Sequence, residues 1–207
     1  MLKLFIGLAL AVLNYDINLS GHVIGIFPHF LGFFLIVLGI QEMEKKDDTF
    51  TKAMLPAYIM LVYSLAFYAA KSFGASLYLE EKMPYLLYFI QLLETVGTML
   101  VAYFITFAYT HYEHKNRMDV GCKKLQTFWK VMCIGFIVYY VGYMTVLMYG
   151  SALSNVEAGT KGADAAGSGV YASFVFYQFA NIVRSATTLI YLFMYYKVFT
   201  KFIEQKR

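Results

Sequence analysis

The sequence predicts an all-α, polytopic membrane bundle of six transmembrane helices with both termini cytoplasmic, and three observations lead there. Of its 207 residues, 60% are hydrophobic and 14% charged, against about 45–50% and about 25% in an ordinary soluble domain. Apolar runs of roughly 20 residues recur along the chain, each long enough to cross about 30 Å of hydrocarbon as a helix. The basic residues fall mostly on one side of the alternating connections. Six crossings use roughly 120 to 150 positions. What remains is short loops and tails, which excludes a separate soluble catalytic or DNA-reading domain, so residues 1–207 read as a single transmembrane domain.

The first run, Leu2 to Leu13, ends in the polar stretch Asn14-Tyr15-Asp16-Ile17-Asn18-Leu19-Ser20-Gly21, and a second run extends from Val23 to Ile40. The polar octet is a turn signal, so the pair is expected as a hairpin with a short first arm, spans of about 2–19 and 23–41. The start resembles a signal peptide in having one Lys and a short apolar run, but the second long run follows at once, and it reads as a retained helix. Further spans are expected at about 53–72, 85–110, 127–150 and 170–197, each bounded by charged or Gly/Ser-rich residues. The connection from Ser151 to Gly169 is small and polar throughout and is expected to be irregular.

With both ends inside, the inner segments hold thirteen of the seventeen basic residues. The outer loops hold Lys71, Lys82 and Lys161, and Arg184 lies within a span. Lipid headgroups and topology therefore account for the net charge of +4, and nucleic acid is not implied. Tyr109, Tyr112, Trp129, Tyr195 and Tyr196 are expected at the inner interface and Tyr78, Tyr85, Tyr149 and Tyr171 at the outer one, where amphipathic rings sit. The basic stretch Lys115 to Lys130 is expected to meet anionic lipids of the cytoplasmic leaflet. Cys122 and Cys133 fall in a basic loop and a span, so a structural disulfide is not expected.

Aligning the fourth and sixth spans from Phe89 and Phe176 sets Gln91 against Gln178, Glu94 against Asn181 and Thr98 against Ser185. Each set recurs at i, i+3 and i+7, one face of a helix, so both helices are expected to turn a polar stripe inward. Duplicated hairpins in transporters have this form, and chance similarity between apolar helices has it too. Glu94 and Arg184 are the charged side chains well inside spans. Each costs at least about 2.5 to 3.5 kcal/mol unless paired or hydrated, so an ion pair between them is expected, with Gln91, Gln178 and Asn181 completing its hydrogen bonds. Such a pair fixes helix register or serves a solute pathway.

The second span carries Gly25, Gly32 and Gly39 at seven-residue spacing, a seam for close helix packing. Pro28 removes one N–H and precedes His29, which suits either a helix-packing hydrogen bond or a proton relay. His111 and His114 have H-x-x-H spacing, but Lys115 and Arg117 beside them repel a cation, so no metal is expected there. No H-E-x-x-H, G-x-S-x-G, Walker loop or paired-carboxylate motif is present. Catalysis is disfavoured, no catalytic residue is assigned and no cofactor is called for.

The stretch Leu4 to Glu42, with Ile26-Phe27-Pro28-His29-Phe30-Leu31-Gly32-Phe33 at its centre, resembles the opening of small uncharacterised multispanning membrane proteins of Gram-positive bacteria. In these a short helix leads to a motif like Leu-Leu-Pro-Asp-Phe-Ile-Gly-Tyr. The resemblance covers the first fifth of the chain and departs at His29, where the pattern has Asp. It implies a bacterial cytoplasmic-membrane location and no particular activity. Three functions are compatible with the residues, the third being an enzyme working on lipid or quinone with His29 or Glu94 as general base. The first is a small permease or solute-binding membrane subunit built on His29, Gln91, Glu94, Gln178, Asn181 and Arg184, with a small-molecule ligand. The alternative is a non-catalytic scaffold or regulatory subunit that packs on another membrane protein through the glycine seam.

Overall fold

A computed structural model describes residues 2–13, 16–19, 22–25, 28–45, 47–154 and 162–204, which are helical apart from a short two-stranded ribbon and the turns. The order is α1 (Leu2–Val12), β1 (Asp16–Leu19), β2 (His22–Gly25), α2 (His29–Glu44), a 3-10 segment (Asp48–Ala53), α3 (Met54–Ser72), α4 (Ala75–Lys82), α5 (Pro84–Lys115), α6 (Cys122–Ser154) and α7 (Gly162–Glu204). Three helical stretches are long and apolar enough to cross a membrane: Asp48–Ser72, Pro84–Lys115 and Cys122–Tyr149. The chain divides into two compact units, one of Met1–Trp129 with Tyr191–Arg207, the other of Lys130–Ile190.

The first two expected spans are shorter than anticipated. The helix α1 has 11 residues and α2 has 16, rises of about 16 and 24 Å against a hydrocarbon core of about 30 Å. Local chemistry shortens both. Asp16 to Leu19 pairs antiparallel with His22 to Gly25, with Asp16 opposite Gly25 and Leu19 opposite His22. Pro28 then caps α2 in an extended conformation (φ −60°, ψ 114°), so the helix starts only at His29. Gly25 consequently lies in β2 and drops out of the expected seam. Asn14 and Tyr15, expected at the hairpin tip, lie outside the described residues.

The remaining seam is occupied within the chain. A β-carbon on Gly32 would lie 2.7 Å from the Ala11 nitrogen, one on Gly39 2.6 Å from Leu4 Cγ, and one on Gly7 2.7 Å from both the Gly32 oxygen and the Ile36 nitrogen. Helices α1 and α2 therefore meet backbone to backbone and antiparallel, as small residues permit.

After α3, Gly74 adopts φ +78°, a left-handed conformation that costs glycine little, and its N–H returns to the Lys71 carbonyl, ending the helix. The mixed-charge connection around Glu80-Glu81-Lys82 forms α4, and Pro84 opens α5 at its first turn, where a missing N–H is harmless. The irregular connection expected from Ser151 to Gly169 is shorter than anticipated, because α6 continues to Ser154 and α7 begins at Gly162. Alanine at 163, 165 and 166 favours that extension. Residues 155–161 lie outside the described residues.

In the first unit charged helix ends gather at one pole. Lys3 of α1 pairs with Glu42 of α2, and Lys115 at the end of α5 reaches Asp47 at 2.9 Å. The core there is aromatic. Phe50 meets Tyr109 edge-on at 5.3 Å, Tyr109 meets Tyr195 at 5.7 Å and Phe202 at 5.3 Å, and Phe5 stacks on Tyr195 and Phe199. Tyr109 and Tyr195 are each 1% exposed. These two rings thus belong to the protein core and not to the expected interfacial belt, whereas Tyr196 is exposed. The second unit packs α6 on α7, with Gly142 against Tyr177 and Ala180 and Gly135 against the Thr187 side chain. Gly135 and Gly142 form a second seven-residue glycine seam that the sequence analysis did not single out.

Candidate functional site

The first unit brings two of the expected site residues together. His29 is the first residue of α2, and its Nδ1 lies 2.8 Å from Oε1 of Glu94 on α5. Both side chains are largely buried, at 13% and 10% exposure. Glu94, expected to meet Arg184, therefore has His29 as its partner. The carboxylate also lies beside the N-terminus of α2, the positive end of the helix dipole.

Pro28 decides this placement. It delays the start of α2, so His29 occupies the first turn instead of a mid-helix position, at the level where α5 presents Glu94. From α3, Tyr63 donates its hydroxyl to the Ile90 carbonyl at 2.7 Å, closing the wall one turn before Glu94. Thr98 bonds back to the Glu94 carbonyl at 2.8 Å, and Met60 fills the space that a side chain at Gly97 would take. Gln91, one turn away from Glu94 on the same helix, is half-buried. Tyr63 was not singled out from the sequence, because an aromatic in an apolar span carries no signal distinguishing wall from lipid face.

The chemistry follows from the proton count. With Nδ1 engaged by the carboxylate, the other ring nitrogen, Nε2, is buried and has no hydrogen-bond partner among the described residues. A neutral imidazole donating from Nδ1 presents a lone pair there, and an imidazolium presents an N–H. The pair can thus take up or release a proton, or meet one polar group of a ligand, at a position screened from bulk water.

The second unit holds three other expected residues. The Arg184 guanidinium lies over the Tyr139 ring at 4.1 Å, with Phe136 at 5.9 Å. Tyr139 and Tyr177 join their hydroxyls at 3.3 Å. On the same helix the Asn181 side-chain oxygen is buried with no hydrogen-bond partner among the described residues. Gln178 is exposed. It stands apart from the buried polar set expected for it.

Two further clusters, given no chemistry in the sequence, are built at the polar pole. Asp47 caps the 3-10 segment by accepting from the Thr49 N–H at 2.8 Å and from the Thr49 hydroxyl. It also accepts from Lys115 at 2.9 Å. The Thr49 bonds and the Lys115 ammonium, acting against burial, hold its carboxyl down at about 2. His111 joins this cluster through Thr49, Nδ1 to Oγ1 at 2.9 Å. An Asp followed two residues later by Thr is the signal that marked the cap.

Glu113 accepts from the Val120 and Gly121 N–H groups at 2.6 Å each and from Cys122 at 3.1 Å. It thereby satisfies donors at the start of α6 with a charge of the preferred sign. Compared with known family models, characterised proteins and solved structures, the chain matches none.

Proposed function

We propose that this chain is a small permease, or the solute-binding membrane subunit of one, whose His29–Glu94 pair is the polar site near the bilayer midplane. The observation that carries this reading is the half-length hairpin that delivers His29 to Glu94. Because α1 and α2 are too short to cross, in this reading they enter and return on the same side. Four crossings remain in this reading: α3, α5 and α6, which are long and apolar enough, and α7, which carries the span expected from the sequence at 170–197. An even number keeps both termini on one side, and the thirteen basic residues of the inner segments make that side the cytoplasm.

Both groups then fall inside the hydrocarbon core. His29 heads a helix rising about 24 Å from the inner pole, and Glu94 lies ten residues into α5, about 15 Å from its outer end, half of a core of about 30 Å. Non-helical backbone at such depth is tolerated where it is enclosed by protein or lines a watery cavity. Discontinuous helices of this kind form transporter sites, with helix termini directed at the solute. The bacterial cytoplasmic membrane is the location implied by the resemblance of residues 4–42.

The alternative scaffold reading needs the glycine seam of α2 as a surface, and Gly32 and Gly39 are covered by α1. The test is thermal unfolding of the purified chain in mild detergent against a broad panel of metabolites. A solute that protects wild type but not Glu94→Gln supports the proposal. Absence of protection by every panel member at saturating concentration overturns it.

A further inference from the structure

Among the described residues, the Arg184 guanidinium of the second unit has no carboxylate partner. Arg184 lies near the middle of the apolar stretch of α7, and its guanidinium is stacked on Tyr139. Residues 130–190 contain two acidic side chains, Glu157 and Asp164. Asp164 precedes Arg184 by twenty residues on the same helix, about 30 Å along the axis, and Glu157 lies outside the described residues. A ring face lowers the cost of the charge but accepts none of the five guanidinium N–H bonds in the plane of the fork.

The neighbouring hydroxyls add to the surplus of donors. Tyr139 and Tyr177 share one hydrogen bond, so one of their two O–H protons serves the pair and the other is left to donate elsewhere. The Tyr139 ring, 4.1 Å from the guanidinium, lies 5.5 Å from the Tyr177 ring, and Gly142 lets α6 approach the Tyr177 backbone. A fixed planar fork with a hydroxyl beside it matches the two-oxygen edge of a carboxylate or phosphate.

We propose that Arg184, with the Tyr139–Tyr177 hydroxyl pair, forms a binding site for an oxyanion, the carboxylate or phosphate of a small solute or of a lipid headgroup drawn into the protein. The site stands on the second unit alone and goes beyond the permease reading, which rests on His29 and Glu94.

The experiment is thermal unfolding of the full-length chain with two probes. Inorganic phosphate is titrated in mild detergent at constant ionic strength, and nanodiscs of phosphatidylglycerol are compared with nanodiscs of phosphatidylcholine in phosphate-free buffer. Phosphate stabilises many proteins without binding, so the readout is the saturable part of the shift that Arg184→Gln loses. Wild type should gain about 5 °C or more at a hundredfold excess over Kd. Tyr139→Phe, which keeps the ring, should bind at least about tenfold more weakly.

If Arg184→Gln does not fold, Arg184→Lys serves, since it keeps the charge without the fork and should also weaken binding. Protection by free phosphate assigns the site to a solute, and protection by phosphatidylglycerol assigns it to a lipid. Equal shifts in wild type and the Arg184 variant in both arms overturn the proposal. So does recovery of stability when Arg184→Gln is combined with Glu94→Gln, which would make Glu94 the counterion.

Discussion

His29 Nδ1 lies 2.8 Å from Glu94 Oε1 across 65 residues of sequence, a polar link between the start of α2 and the outer half of α5's apolar stretch. Removing one partner leaves the other buried and uncompensated, which costs about 3–5 kcal/mol. Glu94→Leu and His29→Leu are therefore each expected to lower the unfolding temperature strongly, and the double variant to recover much of the loss. Thermal unfolding in detergent measures the cycle. Additive single effects would show that the two groups do not act as a pair.

At the opposite pole, Asp47 is expected to make stability pH-dependent. Its folded carboxyl is held down at about 2, below an ordinary value of 3.8. Its contribution is then complete above about pH 4 and disappears as pH falls from 3.8 toward 2. Asp47→Ala, which removes the Thr49 cap and the Lys115 pair, should cost about 1–2 kcal/mol at neutral pH. The difference from wild type should vanish near pH 2. A difference that stays constant across this range contradicts the assignment.

The α1–α2 contact leaves no room for a methyl group. Gly32→Ala places a carbon 2.7 Å from the Ala11 nitrogen and 2.9 Å from the Gly7 oxygen, and backbone cannot yield as a flexible side chain can. Overpacking of this kind costs about 1–3 kcal/mol. Gly97→Ala meets only the Met60 side chain and should be the milder change. The ranking of the two melting temperatures checks it.

Glu113 offers a carboxylate to three successive backbone N–H groups at the start of α6. Glu113→Gln retains the shape but offers one acceptor oxygen without the charge, and a loss of about 1–2 kcal/mol is expected. Hydrogen exchange should show the amides of Val120, Gly121 and Cys122 losing protection before those of the α6 interior.

Periodicity and apolar run length carried the helical architecture, because both are properties of consecutive residues. The spans at 53–72, 85–110 and 127–150 coincide with the helices long enough to cross a membrane. The glycines at 32 and 39 were legible as a packing seam for the same reason, although which helix fills it was not. His29 and Glu94 could each be singled out as polar groups inside apolar stretches, yet their pairing could not. Alignment of two apolar helices pointed Glu94 to Arg184, because nothing in local spacing reveals helix rotation. Gln178 failed similarly, since a polar residue at the right period can still fall on an exposed face.

By itself the sequence determined that this chain is helical, apolar and charge-asymmetric, and that few polar groups are placed where they need compensation. Tertiary structure decided which groups compensate one another. It gave Glu94 to His29, Arg184 to an aromatic face, Asp47 to Thr49 and Lys115, and the glycine seam to the chain's own first helix. The physical reason is range: helix formation and bilayer partition depend on residues a few positions apart, whereas a hydrogen bond across 65 residues depends on where a proline starts one helix and how a second is rotated against it.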